Sequence, residues 1–202
     1  MNRLMNGIYM RRLTKVANLL YLSILWTVFS LPIITIGAST AALYYAAHHA
    51  VREDEGYIFQ QFWKAMKNSF KQATITWLFF ATAISVFYYN SLFLGAKANG
   101  SVVTIIGQTM FLLFIPLACC CFIYAISYIA RFQSPLKIVW KNAAILAISH
   151  LPKSLFLLIL LMLFVFSIWL LPILVVILPA FFSYMISRYM ENIFSSYLQE
   201  KE

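Results

Sequence analysis

Apolar residues fill four long stretches of this chain, and charged residues stand only between them. Residues 16–51, 72–96, 98–130 and 154–187 contain no Asp, Glu, Lys or Arg. Each stretch exceeds the roughly 20 apolar residues that carry a helix across a bilayer. The pattern predicts straight spans over 72–94 and 102–130, joined by a short external loop at 95–101. The first and last stretches carry proline, Pro32 in one and Pro172 and Pro179 in the other, so both are expected to break.

Lys and Arg gather beside the apolar stretches, which marks the cytoplasmic side by the positive-inside rule. On that rule 1–15 is a cytoplasmic N-terminus, 52–71 and 131–153 are cytoplasmic segments, and the loop holding Lys97 faces out. Residues 16–51 must therefore leave and return. A single helix over them would be about 54 Å long against about 30 Å of hydrocarbon. Pro32 and Gly37 are the expected turn, since proline lacks an amide donor and glycine tolerates reversal. The returning arm is short, either a brief span or a re-entrant helix shielded by protein. A similar return near Pro172 leads to a tail at 188–202. The expected fold is an all-α polytopic membrane bundle of four to six membrane helices with interfacial cytoplasmic helices.

Composition agrees: 63% of residues are hydrophobic, 17% aromatic and 10% charged, against about 25% charged in soluble domains. The formal net charge of +9 follows the membrane-flanking segments and does not form a nucleic-acid surface, so the expected partner is the lipid bilayer and not nucleic acid. The first apolar stretch is too long for the core of a cleavable signal peptide, and 1–202 is read as one membrane domain.

Four groups of residues stand out within this frame. Ala38, Ala42, Ala46 and Ala50 recur at intervals of four and form one stripe of small side chains, suited to close helix packing within the chain or against a partner. Phe59, Phe62, Trp63, Met66 and Phe70 fall in one helical sector beside Lys64, Lys67 and Lys71, predicting a helix on the membrane surface or against a partner. Tyr44 and Tyr45 precede His48 and His49 by one turn, pairing ring with ring. The two histidines project in different directions on an α-helix and are expected to mark the polar boundary, with a titratable site as the sharper alternative. Tyr88, Tyr89, Asn90 and Gln108 lie near the outer ends of the central spans, as interfacial anchors or as the lining of an outward pocket.

Catalytic signatures do not occur. The apolar stretches hold none of the charged carriers of proton relays, and no phosphate loop, HExxH or GxSxG motif is present. Cys119, Cys120 and Cys121 are consecutive and spread over too wide a helical arc to converge on one metal ion. Neither enzymatic activity nor a metal or other cofactor is expected.

The run LPIITIGASTAALYYAAHHAVREDEGYIFQQFWKAMKNSFKQA, with WKNAAILAISHLPKS later in the chain, resembles the YesL-like family of small bacterial membrane proteins. The resemblance implies a place in the bacterial plasma membrane and an accessory role beside carbohydrate-uptake ABC transporters, with their permease subunits as partners. REDEGYIFQQ does not reproduce the EAA-type loop of such permeases, so the expected role is a non-enzymatic accessory subunit. The alternative is a small solute-binding membrane component, channel or transporter acting on its own; self-association through the same faces stays open.

Overall fold

The computed structural model describes the backbone of residues 2–52, 57–97, 101–132 and 134–199, and the side chains at 10, 12–49, 51, 57–97, 101–132 and 134–191. These residues form seven α-helices and no strand: α1 (Asn2–Ser30), α2 (Ile36–Ala46), α3 (Ile58–Ala96), α4 (Val102–Arg131), α5 (Leu136–Ser149), α6 (Leu151–Leu170) and α7 (Leu178–Gln199). Short 3-10 turns, Ile33–Thr35 and Pro172–Val176, lie at the two expected breaks. Four helical segments are long and apolar enough to cross a membrane: Arg12–Ser30 within α1, then α3, α4 and α6. The chain is a multi-pass membrane protein with an all-α bundle.

Contacts between elements give the direction of each helix. Trp26 of α1 donates to Thr40 of α2 at 3.2 Å, and Ser30 meets Ser39 at 2.6 Å, so α2 runs back along α1. Ring pairs Trp77–Phe122 and Phe87–Phe111 set α3 and α4 antiparallel. Tyr124 and Ser154 hydroxyls lie 3.2 Å apart between α4 and the start of α6. Ser23 of α1 donates to the Ile177 carbonyl at 2.8 Å and accepts from the Ala180 amide at 3.0 Å. Thr27 adds a bond to the Val175 carbonyl at 3.3 Å. Polar backbone freed by the break before α7 is thereby satisfied inside the protein, as lipid requires.

At the centre lies α2, touched by α1, α3, α4 and α7. Gly37, Ala38, Ser39, Ala41, Ala42, Leu43, Tyr44 and Ala46 are all buried on it. A helix this rich in small residues lets four neighbours approach closely, the usual route to helix association where lipid supplies no hydrophobic drive. The turn before it is tied down by Thr35, whose hydroxyl bonds the Phe29 and Pro32 carbonyls at 2.6 and 2.7 Å, and by Trp77 Nε1 bonding the Ile33 carbonyl at 2.9 Å.

Three boundaries differ from the sequence expectation. Residues 52–71 and 72–94 do not form a surface helix and a separate span, because α3 runs unbroken for 39 residues. Nothing between Gln61 and Ala73 breaks a helix, and at about 59 Å α3 outruns the hydrocarbon, so its first turns stand clear of it. Ser134 before Pro135 reads in sequence as an N-cap with proline at the first helical position, whereas Pro135 itself takes the N-cap position of α5, with no side-chain cap bond and Ser134 outside it. No boundary separates the expected cytoplasmic N-terminus from the first apolar stretch, because α1 begins at Asn2 and runs on to Ser30.

Gly37 touches α3 so closely that an added Cβ would collide with the Ala73 carbonyl oxygen and with Trp77 Cβ at 2.5 Å. Backbone cannot yield as a side-chain tip can. Gly37→Ala is expected to destabilise the bundle by about 1–3 kcal/mol, read as earlier unfolding in a mixed-micelle denaturant titration; an unchanged midpoint would contradict the packing described.

Candidate functional site

The winding changes where α2 ends. Ala47–Arg52 is π-helical, a form that appears mostly as single turns and often at functional sites. Its wider turn reduces the angle between successive side chains. His48 and His49, expected to diverge, have ring centroids 4.9 Å apart, and Tyr45 lies over His49 at 4.3 Å.

His48 is 4% exposed and meets a carboxylate and a guanidinium there. Its Nε2 lies 3.1 Å from Glu191 Oε1 of α7 and 3.5 Å from Arg131 Nη1 at the end of α4. Arg131 Nη1 lies 2.5 Å from Glu191 Oε2. Three elements distant in sequence thus meet in one charge cluster at the basic end of the bundle. Glu191 is largely buried and Arg131 about one third exposed. A carboxylate placed there requires such partners, since an isolated buried charge costs several kcal/mol.

Two cavities share lining residues with the crevice at the cluster. Within the bundle is an apolar space of about 290 Å³, bounded by Trp26, Tyr44, Trp77, Cys119, Phe164 and Phe182. Toward the basic end is a polar hollow of about 580 Å³ between the end of α2, the start of α3 and the end of α4. A small crevice lined by Tyr44, His48, His49, Arg131 and Glu191 sits with residues of both.

The residues singled out in sequence fall in different surroundings. Ala38, Ala42 and Ala46 are wholly enclosed by the chain itself, while the side chain of Ala50 lies outside the described residues. Phe62 and Met66 are buried under α1 and α2, whereas Phe59, Trp63 and Phe70 remain exposed. Tyr88 and Tyr89 are exposed, Asn90 bonds the Val86 carbonyl of its own helix at 2.7 Å, and Gln108 lies against Gly95. None of these four lines the three cavities described. Cys120 is buried with its thiol 3.5 Å from the Ser154 carbonyl, and among the described residues no three His, Cys, Asp or Glu side chains are grouped as a metal site needs.

Glu191 escaped the sequence reading. Of the six acids, it alone lies between residues 56 and 199, in SRYMENIF within α7, a helix with small residues on its buried face. A lone acid on such a face is the signal that points to a buried partner.

Removing the carboxylate leaves the Arg131 guanidinium and the His48 imidazole without the group they share. A double-mutant cycle with Glu191→Gln and Arg131→Gln is expected to give a coupling of about 1–3 kcal/mol, read from unfolding midpoints of the four proteins; strict additivity would mean the contact contributes nothing.

In comparison with known protein families, residues 19–91, from the middle of α1 through most of α3, match the family described as "Protein of unknown function, DUF624". No curated protein and no solved structure matches the chain. The matched part holds α2, its π-helical end, His48 and His49, and excludes Arg131 and Glu191.

Proposed function

We propose that the protein is a non-enzymatic component of a bacterial plasma membrane, with its N-terminus in the cytoplasm, that holds a small solute in the apolar cavity and admits it past His48, Arg131 and Glu191. The observation that carries this reading is that the crevice lined by His48, Arg131 and Glu191 shares Tyr44 with the apolar cavity and His49 and Arg131 with the polar hollow. A volume near 300 Å³ is the lower end of small-molecule sites. An ion pair joining three elements is the kind of discrete contact that opens or closes as a unit.

Cys119 lines the cavity and offers a native reporter. In a Cys120→Ala, Cys121→Ala background reconstituted in liposomes, a membrane-impermeant maleimide is expected to label Cys119 slowly, and several-fold faster once Glu191→Ala removes the latch. Equal rates, with helical content unchanged, would remove the gating role.

A second reading has its own support. Phe59, Trp63 and Phe70 are exposed on the first turns of α3, with Lys67 over the Trp63 ring at 5.1 Å. Such a face suits lateral docking, and with the resemblance to the YesL-like family it favours an accessory subunit of a carbohydrate-uptake ABC transporter. The enclosed alanine stripe leaves docking to this aromatic face. Co-purification of permease subunits from the native host, abolished by Trp63→Ala with Phe59→Ala, is the expected result; recovery of the protein alone would count against it.

A further inference from the structure

The polar hollow has a chemistry of its own. Along α3, Lys64, Asn68 and Gln72 stand one turn apart, with Ser69 beside them, and all four line the hollow. Across from them are His49 and Arg131. Among the described residues no carboxylate lines it.

Two further observations point to an anionic occupant. Lys64, Asn68, Ser69 and Gln72 make no side-chain hydrogen bond or ion pair among the described residues, although Ser69 and Gln72 are half-buried. Their donors are thus open to something bound in the hollow. Arg131 also faces the hollow, and a guanidinium has five N–H donors, more than Glu191 and His48 take up. A lysine and an arginine flanked by amide and hydroxyl donors match an anionic group with several acceptor oxygens.

We propose that this hollow binds a phosphate group, with Lys64 and Arg131 as its charge partners and Asn68, Ser69 and Gln72 as further donors. The hollow lies at the end of the bundle where α3 leaves the hydrocarbon, so the phosphate can belong to an anionic lipid headgroup or to a small soluble ester. The site is distinct from the apolar cavity and needs no passage through the charge cluster.

The test uses the full-length protein in phosphatidylcholine nanodiscs. One arm adds glycerol phosphate and reads the melting temperature; the other replaces a fraction of the lipid with phosphatidylglycerol and reads retained lipid by native mass spectrometry. Lys64→Ala is the variant, since Lys64 is exposed and supports no other side chain; Gln72→Ala is the second. Stabilisation by glycerol phosphate, or selective retention of phosphatidylglycerol, weakened about tenfold by Lys64→Ala supports the assignment and names the source by the arm in which it occurs. Binding in neither arm, binding indifferent to both variants, or an equal response to chloride at matched ionic strength overturns it.

Discussion

A helical arm too short to cross a bilayer comfortably cannot be left facing lipid at its irregular ends, because each unsatisfied backbone group there costs several kcal/mol. In this protein that arm is α2, eleven α-helical residues continued by six in π-helical form. Enclosing it accounts for much of the remaining architecture. Its lining is nearly all alanine, glycine and serine, so that α1, α3, α4 and α7 can close around it. The turn that precedes it is anchored by Trp77 and Thr35, and the break that sends α7 back beside it is anchored by Ser23 and Thr27. Both breaks are answered by a side chain from another element.

The same enclosure explains how charge comes to be buried. Since α2 ends in the interior and not in solvent, the histidine at that end meets the neighbouring helices directly. A π-helical turn frees its backbone from the regular ladder and re-aims the ring toward α4 and α7. Residues 124–130 of α4 are all buried, so Arg131 is the first residue of that helix to reach a more open setting. Glu191 lies on the side of α7 that also buries Ala180, Ser183, Ser187 and Met190. Three helices that share an enclosed core must also share the place where it ends.

How far the sequence disclosed this depends on the kind of physics involved. Spans and their interruptions were legible, because hydrophobic length and proline act locally: the breaks fall at Pro32 and Pro172 as expected. The alanine spacing signalled a packed helix face. The continuity of α3 was not legible, since amphipathic turns and an apolar span can belong to one helix when nothing separates them. The π-helical turn leaves no mark in AHHAVR that a one-sequence reading can use. The cluster of His48, Arg131 and Glu191 joins residues at least 60 positions apart, and no local pattern reports such a meeting. The polar stripe Lys64, Asn68 and Gln72 was hidden for another reason: periodicity grouped Lys64 with Lys67 and Lys71, whereas α2 and α4 select its other neighbours.

Arg131 belongs to both the charge cluster and the hollow, and this shared membership has a thermodynamic consequence. Whatever draws its guanidinium toward the hollow weakens its contact with Glu191, and by linkage the contact with Glu191 opposes that binding by the same free energy. Lys64 has no such competing contact among the described residues, so it contributes charge to the hollow without a cost at the cluster. An occupant held mainly through Lys64 would leave the three-helix contact intact, while one that needs both cations would loosen α7 from α2 and α4. The division of charge between one engaged and one unengaged cation therefore decides whether the hollow is a separate compartment or a handle on the bundle.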